Sequence, residues 1–263
     1  MLQEAVARDP RNSFLKGDLI RVEGEINGVD AAVAKARASA AGEPENNIYD
    51  LVSAELYEKA GRIPDAIAVL EKAVAARPSD ENLAIALARL YSRSGDFAKA
   101  ESLLTARLRA DPKNIAIGTA LAQQYLATGR TQDAKKLYAD LVARQPNDVS
   151  ALLGLAKIPT VERNWAEATD YLNRARAAKP SDPAPLIEAL FGLYLRAGEP
   201  GKAEAVLNTR LQADPKDVVV RSALASLYSD QKKYDEAITE YARVIAEHPG
   251  DARVLNNLAW LYQ

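Results

Sequence analysis

Apolar side chains recur along this chain with the spacing of one face of an α-helix. In each segment of about 34 residues they occupy the seventh, eighth and eleventh positions, and again the twentieth, twenty-fourth and twenty-seventh. Spacings of three and four residues indicate helices, whereas half-buried strands alternate every second residue. The pattern therefore predicts two helices in each segment, helix A and then helix B, separated by a short turn.

Regularly spaced prolines mark the ends of the segments. These prolines are Pro10, Pro44, Pro78, Pro112, Pro146, Pro180, Pro215 and Pro249. Six of the seven intervals between consecutive prolines are 34 residues long and one is 35. Proline cannot continue an α-helix, because its nitrogen has no hydrogen to donate. Asn or Asp stands two residues after each proline, where its side chain can cap the next helix.

Seven complete repeats result when each proline is counted as the thirty-second residue. They span 13–46, 47–80, 81–114, 115–148, 149–182, 183–217 and 218–251. The twentieth residue is always alanine, which predicts that two helices touch closely there. Four repeats carry glycine at the fifteenth position, where a left-handed residue can end helix A; they are Gly61, Gly95, Gly129 and Gly198.

The flanking segments continue the same pattern. We expect residues 1–12 to form the end of an earlier helix B and residues 252–263 to form a helix A without its partner. The chain is therefore expected to be a single superhelical domain, 1–263, and a piece of a longer array.

These features resemble the tetratricopeptide repeat (TPR) family, whose period of 34 residues carries the signatures L-G-x2-Y, A-x3-F and P. The resemblance covers essentially the whole chain, with Leu87, Ala88 and Tyr91 as one example of the first signature. It implies an all-α fold, a right-handed TPR α-solenoid of antiparallel helix pairs with half a repeat at each end. It also implies that the A helices line a concave groove that binds a protein or peptide.

The family resemblance places five positions of helix A, the second, fifth, ninth, twelfth and thirteenth, on the groove. The candidates at these positions are Arg21, Glu55, Lys59, Arg89, Arg93, Gln123, Lys157, Glu188, Arg196 and Trp260. The first two repeats are the more acidic and the middle of the chain is the more basic, which favours a partner with carboxylates near its centre. The alternative is that these are ordinary solvated side chains, since mixed charges are common on exposed helix faces.

Trp260 is the aromatic candidate for a binding anchor. It lies in the last segment, where apolar residues such as Leu255 and Tyr262 would lack a covering helix. We therefore expect end-to-end self-association through exposed terminal helices.

Charge and composition exclude several functions. The 34 basic and 36 acidic residues leave no positive excess for phosphate binding, so nucleic acid is not an expected partner. No apolar run approaches the roughly 18 residues of a membrane span, so direct membrane insertion of this segment is not expected. Cysteine is absent and His248 is the single histidine, so the usual metal sites and nucleophile–base pairs lack members. We predict no catalytic residue, no metal and no cofactor, and thus not an enzyme.

The predicted function is a non-catalytic scaffold for protein interaction, and two alternatives stay open. The segments SFLKGDLIRVEGE and LNNLAWLYQ resemble bacterial exosortase-associated (PEP-CTERM system) TPR lipoproteins and the scaffolds of exopolysaccharide export. This resemblance implies an assembly factor in the periplasm or cell envelope; the cytoplasm is the alternative compartment. The other alternative is the TPR arm of an enzyme whose catalytic domain lies outside this chain.

Pro159 interrupts the pattern within helix A of the fifth repeat. Other segments carry tyrosine at the same position, namely Tyr91, Tyr125, Tyr194, Tyr228 and Tyr262. Proline inside a helix costs ~3 kcal/mol and here frees the carbonyl of Leu155, which predicts a bent or shortened helix and a local change of curvature. Both a shaped binding site beside Lys157 and Arg196 and neutral drift in a redundant array remain open.

Overall fold

The computed structural model describes residues 2–262, and within them it contains sixteen α-helices and no strands. The helices are α1 (Leu2–Arg8), α2 (Ser13–Asn27), α3 (Val29–Gly42), α4 (Ile48–Lys59), α5 (Ile63–Ala76), α6 (Glu81–Arg93), α7 (Phe97–Ala110), α8 (Ile115–Ala127), α9 (Thr131–Arg144), α10 (Val149–Val161), α11 (Trp165–Ala177), α12 (Ala184–Arg196), α13 (Pro200–Ala213), α14 (Val218–Asp230), α15 (Tyr234–Glu247) and α16 (Ala252–Leu261). The predicted all-α fold of paired helices, a TPR solenoid, is confirmed.

The helices form two compact units, of which the first ends at Leu137 and the second begins at Tyr138, within α9. In the first unit each helix from α2 to α8 packs against the next one, and α2 also contacts α4 as α6 contacts α8. In the second unit each helix from α10 to α16 packs against the next one, and α10 also contacts α12. Each unit is therefore a stack of helix hairpins. The division of the chain into seven repeats within one domain remains a prediction.

Side-chain caps begin most of the A helices, as the residues after the prolines predict. The capping side chain accepts a hydrogen bond from the backbone N–H three residues later at Asn12, Asp80, Asn114, Asp148, Asp217 and Asp251. Such a cap satisfies one of the free N–H groups of the first helical turn and stabilises the helix by about 1 kcal/mol. In the other two links, Asn46 and Asp182 accept from the N–H two residues later, and the helix begins slightly further on.

The turn between helices A and B uses a left-handed residue, as predicted. The φ angles of Gly61, Gly95, Gly129 and Gly198 lie between 71° and 84°. Arg163 and Lys232 take the same conformation in repeats without the glycine, with φ angles of 62° and 61°. The fold imposes this turn even on side chains that it strains, because left-handed backbone costs a residue with a Cβ roughly 1–2 kcal/mol.

Alanine at the twentieth position is buried in every repeat, which confirms a close helix contact there. The residues are Ala32, Ala66, Ala100, Ala134, Ala168, Ala203 and Ala237. Four positions later, a larger buried side chain fills the space between the helices in six repeats, for example Leu70 in the first unit and Leu172 in the second. The single methyl group lets the backbones approach, and the larger residue supplies the apolar area that stabilises the pair.

Pro159 lies inside α10 without shortening it. The helix has 13 residues, the same length as α6, α8, α12 and α14, so the predicted shortening is wrong. Pro159 is buried, and the hydroxyl of Thr160 donates to the carbonyl of Ala156 at 2.6 Å. Burial of the apolar face and the Asp148 cap offset the lost backbone hydrogen bond, so the helix continues through the proline.

Candidate partner-binding surface

In the first unit, candidate residues of helix A pair with acidic residues of neighbouring repeats. Arg21 Nε lies 2.7 Å from Glu55 Oε2, and Lys59 Nζ lies 2.9 Å from Glu55 Oε1. Burial pushes the pKa of Glu55 upward, but hydrogen bonds from Arg21 and Lys59 outweigh it and lower the pKa below its usual value. Glu55 is therefore held as an anion between two cations and offers no free charge to a partner.

A second carboxylate on α4 is also held by two cations, which here both come from the following A helix. Arg89 and Arg93 of α6 both contact the carboxylate of Glu58 in α4, with Arg89 Nη2 at 3.1 Å. The Glu58 side chain is only 9% exposed, whereas both arginines are largely exposed. The basic middle that the sequence suggests is thus partly neutralised by an acid from the preceding repeat.

Two adjacent glutamines of α8 have different roles. Gln123, the predicted candidate, is exposed to solvent. Gln124 is buried and accepts a hydrogen bond from the hydroxyl of Ser92 in α6. The structure therefore leaves Gln123 available to a partner and uses its neighbour to join two A helices.

In the second unit, Lys157, Glu188 and Arg196 are exposed and form no ion pair with any residue among those that the structure describes. The same face carries two apolar residues that the sequence analysis did not name. Val161 is 73% exposed and Leu195 is 41% exposed, at positions thirteen and twelve of their repeats. An apolar residue at a position assigned to the groove was the signal that could have identified them. This surface thus offers both free charge and apolar contact area.

A cavity of about 400 Å³ lies between α14 and α16 in the second unit. Its lining includes Trp260 together with three other residues at groove positions, Ser226, Asp230 and Asn256. Trp260 is 59% exposed and packs edge-on against Tyr234, with ring centroids 6.2 Å apart. The fold therefore places the predicted candidate Trp260 in a formed cavity.

The floor of this cavity is a hydrogen-bonded group around the buried Tyr241. Its hydroxyl lies 2.8 Å from Ser226 Oγ and accepts a hydrogen bond from Asn257 Nδ2 at 2.9 Å. Asp230 and Asn256 at the rim are exposed and form no hydrogen bond with another described side chain. The cavity therefore combines a rigid polar floor with free hydrogen-bonding groups and one aromatic wall.

The described residues contain no group of three or more acidic or histidine side chains arranged to hold a metal ion. Between residues 2 and 262, no helix has both the length and the hydropathy needed to cross a lipid bilayer. The surface is thus one of hydrogen bonds, charges and apolar contacts.

Solved structures share the fold of this chain. Yeast Tom70 matches with a TM-score of 0.73 and 15% identity, over 99% of this chain and 56% of that one. A tetratricopeptide repeat protein from Parabacteroides merdae matches with a TM-score of 0.58 and 15% identity, over 94% and 97% of the two chains. A chain of the APC/C hetero-tetramer Cut9–Hcn1 gives a TM-score of 0.55 and 18% identity, over 100% of this chain and 51% of that one. This chain thus spans about half the length of two of these structures.

Comparison with family models identifies the family of this sequence. One described as tetratricopeptide repeat matches residues 57–123, 91–158 and 160–227, and two more with the same description match 18–81 and 218–261. No curated protein matches the sequence significantly. The matched segments cover most of the chain, which therefore belongs to the tetratricopeptide repeat family, a family of protein-interaction scaffolds.

Proposed function

We propose that this chain is a non-catalytic scaffold that binds an extended segment of a partner protein along its A helices. The cavity between α14 and α16 is the main seat for a side chain of the partner. The observation that carries the proposal is the exposed Trp260 beside free polar groups in a formed cavity.

The surroundings of Trp260 suit a binding anchor. Its edge-on contact with Tyr234 orients the indole before a partner arrives, so little side-chain freedom would be lost on binding. Tryptophan is enriched among the few interface residues that supply most of the binding free energy. Asp230 and Asn256 can pair with main-chain groups of the partner, which would hold the segment in register.

Elsewhere in the second unit, the chemistry favours a partner segment with both apolar and acidic side chains. Val161 and Leu195 supply exposed apolar area, and Lys157 and Arg196 supply cations without an internal partner. In the first unit, the arginines are already paired with Glu55 and Glu58, so they contribute less to attraction. Complementary charge would mainly raise the association rate and the specificity.

The surface formed by the candidate residues of the A helices, called the A-helix surface, is tested in two steps. A photo-crosslinking amino acid at Asn256 captures the partner in cells, mass spectrometry identifies it, and the purified partner is then titrated against the chain. We expect Trp260→Ala to weaken binding about 30-fold, the effect of losing roughly 2 kcal/mol at an aromatic anchor. Phe97→Ala is the matched control, because it removes a comparably exposed aromatic ring outside the A helices. Equal affinity of Trp260→Ala and the unmodified chain would overturn the proposal.

The last helix also supports the expected self-association. Leu255 and Trp260 of α16 and Tyr262 directly after it are exposed apolar side chains. Light scattering should show a mass that rises with protein concentration, and a strict monomer at high concentration would contradict this.

A role in the bacterial envelope is the second candidate, and the resemblance of the segments SFLKGDLIRVEGE and LNNLAWLYQ supports it. Cell fractionation of the full-length protein tests it, since recovery only in the cytoplasm would exclude the periplasm.

A further inference from the structure

A second cavity, of about 330 Å³, lies in the first unit between the B helices α3 and α5, over α4. It is lined by residues other than the candidate residues of the A-helix surface. Its volume falls at the lower end of the range for small-molecule sites.

Small side chains on α3 create this cavity. α3 carries Ala36 and Ala40, and both line the cavity. At the corresponding positions, 34 and 68 residues later, α5 carries Leu70 and Val74, and α7 carries Leu104 and Leu108. Tyr49 of α4, which is fully buried, fills part of the missing volume, and the remainder stays open.

A polar group without a partner lies in the wall of this cavity. Tyr57 is only 6% exposed, and its hydroxyl has no hydrogen-bond partner within residues 2–262. In the next repeat the equivalent hydroxyl, that of Tyr91, donates to Glu71 at 2.7 Å. The residue that corresponds to Glu71 in the preceding repeat is Arg37, so that position carries a cation in place of the carboxylate.

The second unit contains an equivalent hydrogen bond to a different acid. The hydroxyl of Tyr228, at the same position of its repeat as Tyr91, donates to Glu204 at 3.1 Å. Tyr91 and Tyr228, one in each unit, thus each donate to a carboxylate from the preceding B helix. The hydroxyl of Tyr57 has no such carboxylate. The preceding B helix carries Val33 and Arg37 at the two positions where the other repeats carry the glutamates.

The charges at the rim leave an excess of positive charge. Asp50 is paired with Arg77, and Asp65 lies 2.7 Å from Arg62 Nε. Arg37 and Lys72, which also line the cavity, form no ion pair with any described residue. Arg62 also pairs with Asp30, so it is shared between two acids, but an entering anion would still meet the two unpaired cations Arg37 and Lys72.

We propose that this cavity binds a small organic carboxylate whose apolar body has the size of a phenyl ring. The apolar body packs against Ala36, Ala40 and Val69, and the carboxylate accepts a hydrogen bond from the hydroxyl of Tyr57. Arg37 and Lys72 hold the negative charge at the rim. The ligand thereby supplies the carboxylate that Glu71 supplies to Tyr91 in the next repeat.

The probe for this site is 4-phenylbutyrate, with 4-phenyl-1-butanol as its neutral counterpart. Calorimetric titration of the whole chain at pH 7 should give a dissociation constant of about 1 mM or tighter for the carboxylate. The alcohol should bind about tenfold more weakly or worse, because a hydrogen bond to a charged group is lost. Absence of binding at several times that concentration, or equal affinity for the two compounds, would overturn the proposal.

Three variants locate the site. Ala40→Leu introduces the side chain that α7 carries at Leu108 and should abolish binding by filling the cavity. Tyr57→Phe keeps the ring and removes a hydroxyl without a partner, so the protein should remain folded while affinity falls about tenfold. Tyr91→Phe is the control, because its hydroxyl already bonds to Glu71, and its affinity for 4-phenylbutyrate should be unchanged. Wild-type affinity in both Ala40→Leu and Tyr57→Phe would contradict the assignment.

Discussion

Deleting the same oxygen atom in two equivalent repeats should change stability in opposite directions. Tyr138 and Tyr241 both occupy the twenty-fourth position of their repeats, and both are almost fully buried in the second unit. The hydroxyl of Tyr138 has no hydrogen-bond partner in the described part of the chain, and burial raises its pKa to about 12. The hydroxyl of Tyr241 is paired with Ser226 and Asn257.

The magnitudes follow from the cost of a buried polar group. A buried hydroxyl without a partner costs about 1–3 kcal/mol, so we expect Tyr138→Phe to raise the free energy of unfolding by at least roughly 1 kcal/mol. Tyr241→Phe breaks two satisfied contacts and should lower the free energy of unfolding by about 1 kcal/mol. The ring is retained in both variants, so packing changes do not obscure the comparison.

Urea unfolding followed by tryptophan fluorescence is the suitable assay. Both tryptophans of the chain, Trp165 and Trp260, belong to the second unit, so the signal reports the unit that carries the two tyrosines. Thermal unfolding is a second measure, with a shift of about 4 °C for each kcal/mol in a unit of this size. If Tyr138→Phe lowered stability as much as Tyr241→Phe, the inference that its hydroxyl is unpaired would be refuted.

Four further outcomes are expected. Gly154→Ala should destabilise the second unit by about 1–3 kcal/mol, because a Cβ would lie 2.2 Å from Tyr138 Cε1. Adding Tyr138→Leu should recover part of this loss. If urea unfolding showed that Gly154→Ala destabilises both backgrounds equally, the clash would be contradicted. Arg163→Gly and Lys232→Gly should each raise the free energy of unfolding by up to about 1 kcal/mol in thermal unfolding, because glycine adopts the left-handed conformation without strain. Gly95→Ala should lower it by about 1–2 kcal/mol. The added methyl group meets no atom within 4 Å, so this cost is conformational. Hydrogen bonds from Lys16, Asn46 and Ser13 lower the pKa of Glu43 to about 2. The stability that Glu43 contributes is therefore present above pH 4.5 and is lost as the pH falls towards 2. Glu43→Gln should flatten this part of the profile of stability against pH, and an unchanged profile would contradict the role of Glu43. Pro159→Tyr should raise the unfolding midpoint with unchanged partner binding if the proline is neutral drift, whereas lost binding would show a shaped site.

Much of the fold followed from local rules that single residues obey. The capping role of Asp80 and the left-handed turn at Gly95 depend on side chains within a few residues of each other. The buried alanines were predictable because a position held at one methyl group in every repeat indicates a close helix contact. The shortening expected from Pro159 was wrong, since the packing that holds α10 together comes from other helices, and the expected bend stays a prediction.

The candidate site was less predictable. The family resemblance assigned residues such as Arg89 and Trp260 to one face, but it did not show that Arg89 shares Glu58 with Arg93 or that Trp260 packs against Tyr234. Counting charge along the sequence suggested a basic surface, and pairing across repeats reduced it.

The sequence by itself determined the family, the alternation of helices and the residues that begin and end them, because these depend on periodicity and on contacts within one turn. Only the tertiary structure decided which charges are neutralised and where cavities remain. Glu58 meets Arg89 and Arg93 from 31 and 35 residues away, and the space beside Ala40 depends on the volumes of side chains from three helices. Charge pairing and packing volume are set by distances in space between residues far apart in the chain, so no local pattern specifies them.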